Sequence, residues 1–177
     1  EEETTVKPDM FGGAWEDYER HNTDEPETAI SAETATKIAD CFTDLPEGFE
    51  PHKKVMKGME KRKSMLSGDE KLDWGAAEVA AYASLLDQGY AVRISGQDVR
   101  RGTFSHRHAA LFDVNNGDVY MPISEFAQST SSLQVWNSCL SELAVVGFEF
   151  GYSLASPKTL TVWEAQFGDF SNGAQIM

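Results

Sequence analysis

Residues 73–94 hold the pattern that most narrows what this chain can become. Asp73 is a good N-cap, and Trp74–Asp87 then carries Ala77, Val79, Ala80, Tyr82, Ala83, Leu85 and Leu86, a nearly all-round apolar surface. Gly89 acts as a C-terminal stop. Tyr90-Ala91-Val92-Arg93-Ile94 follows as a short strand, and Ser95-Gly96-Gln97-Asp98 closes it at once. Helix, tight glycine turn and strand in immediate succession make one unit of a layered sheet. An α/β domain built on a parallel sheet is the expected fold.

The rest of this half has the same texture. Residues 99–136 read as loop with one hairpin inside, where Asn115-Asn116-Gly117-Asp118 separates the apolar runs 109–114 and 119–121. Asn-Gly in that setting favours a type I′ turn. Ser138 or Asn137 can cap a helix over 139–154, with Leu140, Leu143, Val146, Phe150 and Leu154 expected on a buried stripe. Gly147 and Gly151 would let another element pack close to that helix. Residues 159–163 are a β-branched, apolar strand. Its loop leads to Ser171 or Asn172, either of which could cap a helix starting at Ala174, only a few residues before Met177. So short a helix is unstable alone. The expectation is a piece of a larger enzyme, cut within the region that carries chemistry.

Residues 1–72 differ. The first thirty are acidic, with Pro8, Gly12, Gly13 and Pro26 scattered through them, and read as an irregular or extended connection. Ser31 can cap a helix over 32–42, and a second helix over 51–66 carries Lys53, Lys54, Lys57, Lys61, Arg62 and Lys63. That basic run reads first as a solvated face and second as a docking face for an acidic partner.

A net charge of −14 disfavours nucleic acid and anionic membrane as partners, because both need a basic surface. Cys41 and Cys139 lie far apart and outside any CxxC spacing, so neither a zinc site nor a disulfide framework is indicated. Cys139 is expected to be a small buried hydrophobe.

Ligands of parallel α/β sheets sit beyond the carboxyl ends of the strands. Two loops are rich in polar groups there: Gly96, Gln97, Asp98, Arg100, Arg101, His106, Arg107 and His108 after the first strand, and Glu164, Gln166, Phe167, Asp169 and Phe170 after the last. Glu142, among Leu140, Leu143, Ala144, Val145 and Val146, is either an exposed first-turn carboxylate favoured by the helix dipole or a desolvated one with a raised pKa. The second could share a proton with a ligand nitrogen. His106 and His108 would share a face if the chain were extended, but no third ligand is evident and no metal site is assigned.

Taken together, Asp73-Trp74-Gly75-Ala76-Ala77-Glu78, Ile94-Ser95-Gly96-Gln97-Asp98, Arg101-Gly102-Thr103-Phe104-Ser105-His106-Arg107-His108, Leu140-Ser141-Glu142, Gly147-Phe148-Glu149-Phe150-Gly151-Tyr152 and Trp163-Glu164-Ala165-Gln166-Phe167-Gly168-Asp169-Phe170 resemble the thiamine-diphosphate-dependent decarboxylase component of the 2-oxoglutarate dehydrogenase complex. The resemblance covers at least Leu72 to Met177. It implies an extended acidic segment and helical linker over 1–72, then an incomplete pyrimidine-binding domain of transketolase type over 73–177.

The resemblance also implies roles. Glu142 matches the glutamate that hydrogen-bonds the aminopyrimidine of thiamine diphosphate, and Phe167 and Phe170 match the aromatics that pack on that ring. His108, and less closely His106, match histidines facing the substrate, with Asp98 and Arg101 shaping that wall. The family holds magnesium and the diphosphate in a separate domain with a Gly-Asp-Gly signature, which does not occur here. Its sites lie between the two chains of a homodimer, and its succinyl product passes to the lipoyl domain of the dihydrolipoyl succinyltransferase. A cytoplasmic location in a bacterium, or the mitochondrial matrix in a eukaryote, follows from that role. On this basis the chain alone should be inactive. Three other readings stand beside it: a 2-oxoadipate-specific homologue, a short non-catalytic binding or regulatory protein of the same fold, and a small metallohydrolase using His106, His108 and Asp98.

Overall fold

Two capped helices lead into the sheet of the computed structural model, which describes residues 13–18 and 24–177. The expectations for 1–12 and 19–23 lie outside the described residues. Helix α1 (Ala32–Cys41) starts where Ser31 Oγ accepts the Thr34 N–H, and α2 (Lys53–Leu66) starts at His52, whose Nδ1 accepts from Lys54 N–H. Most of the α2 lysines face solvent, but Arg62 is buried: its guanidinium lies 5.0 Å over the Phe42 ring and donates to the His106 carbonyl at 2.8 Å. Burial pulls its pKa down to about 10, so it keeps its charge at neutral pH. The basic run is therefore not one uniform solvated face.

Helix α3 (Trp74–Asp87) has the expected bounds, with Asp73 Oδ1 accepting the Ala76 N–H at 2.8 Å. Gly89, at φ 86°, turns the chain into β1 (Ala91–Gly96). The hairpin is β2 (Leu111–Phe112) against β3 (Val119–Tyr120), shorter than expected. Its turn is not type I′, because the Asp113 carboxylate accepts N–H groups from Asn115, Asn116 and Glu50, and no Asn there takes positive φ. Those bonds hold the Asp113 pKa below its ordinary value.

Strand β4 (Leu133–Asn137) was not legible in the sequence, where Gln134 and Asn137 blur the apolar run. It pairs parallel to β1, as does β5 (Thr159–Glu164), giving the order β4-β1-β5. Period-two alternation divides the faces of β1. Val92 and Ile94 join Ile38, Phe42, Met59, Val79, Ala83 and Leu86 in one core, so α1, α2 and α3 cover that face. Full burial of each such aliphatic group stabilises by roughly 1.5–3 kcal/mol. Arg93 points the other way, to α4 (Glu142–Ala155).

Helix α4 begins three residues later than expected, because Ser141 rather than Ser138 caps it. Its stripe is also reversed: Leu140, Leu143, Phe150 and Leu154 are exposed, and the buried positions are Val145 and Glu149. Glu149 binds Arg93 through both oxygens at 2.7 and 2.9 Å, and that charged contact turns α4 so that its apolar stripe faces outward. Cys139 is exposed and Cys41 buried, the Cys41 thiol pushed up to about 12 by burial. After β5 a short 3-10 turn (Asp169–Ser171) runs into further turns, so the helix expected from Ala174 does not form.

Candidate active site at the strand ends

The carboxyl ends of the three strands meet in register, Gly96 opposite Asn137 on one side and Glu164 on the other. Ser138 donates its N–H to the Gly96 carbonyl, and Asn137 Oδ1 accepts that of Arg100, which seats the loop after β1 on the sheet edge. The loop is tight: Arg107 and His108 both donate N–H to the Arg101 carbonyl. Gly102, at φ 83°, lies so close to the His106 ring that a Cβ there would sit 2.5 Å from Cε1. A side chain at Gly102 would displace that imidazole.

Arg107 anchors the loop from inside. It is 3% exposed, and its guanidinium donates to Glu78 Oε1 at 2.7 Å, Glu164 Oε2 at 2.6 Å and the Val99 carbonyl at 3.0 Å. Burial opposes its charge, but the two carboxylates outweigh burial and raise its pKa. Tyr82 donates its hydroxyl to Glu78 at 2.8 Å, and burial together with that carboxylate raises the Tyr82 pKa. His106 Nε2 stands 3.7 Å from Glu78 and 3.8 Å from Glu164, while its buried Nδ1 has no hydrogen-bond partner.

Above this network lies an open cavity of about 290 Å³, walled by Thr103, Phe104, His106, Glu164, Gln166, Phe167 and Phe170. Phe167 and Phe170 are 81% and 71% exposed, so they are not core aromatics, and Phe104 meets Phe167 edge-on at 5.7 Å. Glu164 also borders a small recess whose walls include Glu142, Gln97, Trp163 and Asp169. Glu142 is the first residue of α4, half-buried, at the helix end where the dipole favours a carboxylate. Its carboxylate lies against Gly173, where a Cβ would be 3.0 Å from Oε2, and it makes no hydrogen bond or ion pair with a described residue.

The expected residues therefore fall into two groups. His106, Phe167 and Phe170 share the cavity, and Glu142 adjoins it across Glu164. His108 and Arg101 line a separate cavity of about 210 Å³ with His52 and Val55, and Arg101 Nε is bound to Asp98 at 2.8 Å. Both histidines also touch a recess beside Arg62. The extended geometry that would have aligned them is absent, since Ser105 and His108 take φ of 54° and 42°. Burial, then Arg62, Arg101 and His106, lower the His108 pKa from 6.5.

The Arg107, Glu78 and Glu164 network was not assigned a role from sequence. Its signal is a charge set into each apolar element: Glu78 within α3 and Glu164 ending β5. Charged residues in such places are rarely buried unless paired.

The family model described as the pyrimidine-binding domain of transketolase matches residues 70–177. The chain is 45% identical over 168 residues to a protein of Rickettsia conorii named 2-oxoglutarate dehydrogenase E1 component, covering 95% of this chain and 18% of that protein. It is 46% identical over 164 residues to the component of the same name from Haemophilus influenzae, covering 92% and 18%. It is 46% identical over 150 residues to the mitochondrial 2-oxoglutarate dehydrogenase of Schizosaccharomyces pombe, covering 85% and 15%. The chain thus spans less than a fifth of the length of these curated relatives.

Proposed function

This chain belongs to the transketolase pyrimidine-binding domain family, and on that premise we propose that it forms the pyrimidine-side wall of a thiamine diphosphate site in a 2-oxoglutarate dehydrogenase E1 chain. The observation that carries the reading is Glu142: a half-buried carboxylate without a partner among the described residues, at a helix N-terminus, next to an open aromatic cavity. A flat ring bearing nitrogen atoms needs a proton-sharing partner at its edge and apolar surface for its face. Glu142 supplies the first and Phe167 with Phe170 the second, so the residues present fit the group in kind.

Bound thiamine diphosphate supplies the electron sink for loss of carbon dioxide from a 2-oxo acid. The chain's own side chains bind and orient. Glu142 hydrogen-bonds a nitrogen of the ring edge by sharing one proton with it. Phe167 and Phe170 exclude water from the ring face. His106 lines the cavity wall, with its Nδ1 buried against Gly102. His108, kept neutral by burial, offers a hydrogen-bonding imidazole to the 2-oxo acid from the neighbouring cavity, where Arg101 and Asp98 shape the wall.

Magnesium and the diphosphate are assigned to another domain, and the diphosphate half of the site to a second copy in a homodimer. The exposed Leu143, Phe150 and Leu154 on α4 support such a partner. The succinyl group would pass to the lipoyl domain of the dihydrolipoyl succinyltransferase. The division into a helical linker over 1–72 and a pyrimidine-binding domain over 73–177 belongs to the same reading, although α1 and α2 share the sheet's core. The relatives are bacterial and mitochondrial, and no helix of the described residues is long and apolar enough to cross a membrane. A bacterial cytoplasm or a mitochondrial matrix suits this role.

The test is Glu142→Gln in a protein of the relatives' full length. Turnover should fall by about a hundredfold or more with the fold unchanged by circular dichroism. Near-normal turnover would overturn the assignment.

A further inference from the structure

Three carboxylates border the recess beside α4, Glu142, Glu164 and Asp169, and no lysine, arginine or histidine does. Like charges so grouped repel. Two of the three are already engaged. Asp169 Oδ2 accepts the Gln166 N–H at 2.8 Å. Glu164 accepts from Arg107 at 2.6 Å through Oε2, and from the Thr103 hydroxyl at 3.2 Å through Oε1. Of the three, Glu142 has none among the described residues.

Arg107 touches neither the recess nor the aromatic cavity, and it reaches both through Glu164, which lines each of them. Its second carboxylate, Glu78, comes from α3 and lines neither. The guanidinium therefore couples a carboxylate at the site to one away from it. Resting on the reading of Glu142 given above, we propose that Arg107 is a positioning residue: by pinning and neutralising Glu164, it reserves Glu142 as the carboxylate that receives the aminopyrimidine edge. Without it, Glu164 is released as a second free carboxylate at the same recess. The recess then presents two competing carboxylates and an uncompensated charge to the ring edge. His106, facing both Glu78 and Glu164 at 3.7 and 3.8 Å, is the other group of the loop within reach of the released pair.

The experiment uses full-length protein freed of cofactor and titrated calorimetrically with thiamine diphosphate and magnesium. Arg107→Met should weaken binding by about tenfold, and Arg107→Lys by less, because a point charge recovers neutralisation without the fork. Two double variants separate positioning from scaffolding. Arg107→Met with Glu164→Gln and Arg107→Met with Glu78→Gln lose the same guanidinium and keep one of its two carboxylates each, but only the first removes the released Glu164 charge from the recess. The first should bind within about threefold of the parent, while the second stays as weak as Arg107→Met. Equal affinities in the two doubles, or full affinity in Arg107→Met, would overturn the proposal. If Arg107→Met does not fold, Arg107→Lys with and without Glu164→Gln decides: affinity restored by Glu164→Gln supports the proposal and unchanged affinity overturns it. Glu142→Gln run alongside keeps the two failures apart: impaired Glu142→Gln with equal doubles overturns this inference alone, whereas unimpaired Glu142→Gln overturns the reading beneath it.

Discussion

Helices α3 and α4 are both fourteen residues long and rich in apolar side chains, yet they relate to the sheet in opposite ways. Val79, Ala83 and Leu86 of α3 are buried in the core shared with α1 and α2. On α4 only Val145 and Glu149 are buried, while Leu143, Phe150 and Leu154 face outward. The first helix is held by packing. The second is held in large part by one guanidinium, which grips Glu149 with two nitrogens and Gln134 with a third, and lies 4.6 Å from the Tyr152 ring centre. Apolar sequence states that a helix will be covered, but not by which part of which chain.

The largest expected effect breaks the charged attachment. Glu149 is 4% exposed, so Arg93→Met would leave a buried carboxylate without its partner and should cost about 4 kcal/mol in urea unfolding. Adding Glu149→Leu should return most of that, because an apolar pair removes the stranded charge. A loss under about 1 kcal/mol in the single variant would mean that packing, not charge, holds α4. Next comes the packed side. Leu86 is fully buried, and Leu86→Ala should cost about 3 kcal/mol through lost transfer energy and a cavity.

The same contrast explains what the sequence disclosed. Asp73, Gly89 and the apolar run between them act locally, so the bounds of α3 could be read without knowing the partners. Strand β4 could not, because Gln134 finds its partner only in Arg93, a residue distant in sequence, on the face turned to α4. The outward turn of α4 has the same origin, since Glu149 looked like one polar residue among hydrophobes until Arg93 was placed beneath it. Motif order singled out Glu142, Phe167 and Phe170 as candidates, and they line the two hollows that share Glu164. Arg107 was hidden because its partners lie on α3 and at the end of β5, which only the fold brings together.

A smaller effect sharpens the closed side of the comparison. Burial, then Arg62, Arg101 and His106, lower the His108 pKa below 6.5 in the folded chain. Above that value neither folded nor unfolded chain carries the proton, and the stability is complete. As pH falls below 6.5 the unfolded chain is protonated first, so stability is lost until the folded pKa is passed. His108→Asn, which tolerates the φ of 42°, should flatten this acid limb of the unfolding profile slightly. An unchanged limb would show that another group carries it. The effect is small because His108 is only partly buried and solvent screens it.

The smallest effect on stability tests the open side most directly. Phe150 is 60% exposed on the outward stripe of α4, with Gly151 beside it and no heavy atom within 4 Å of where a Cβ of that glycine would stand. Replacing an exposed aromatic that packs on little should change unfolding free energy by no more than about 0.5 kcal/mol, against about 3 for Leu86→Ala. Association should respond differently. If the stripe is where a second copy sits, Phe150→Ser in full-length protein removes apolar area from that interface, and self-association measured by sedimentation should weaken by about tenfold or more. The pairing of the two measurements is what matters. Loss of stability without loss of association would mean that the stripe is covered within its own chain, and the contrast with α3 would collapse. Loss of association without loss of stability would mean that α3 and α4 differ only in whose residues complete the core.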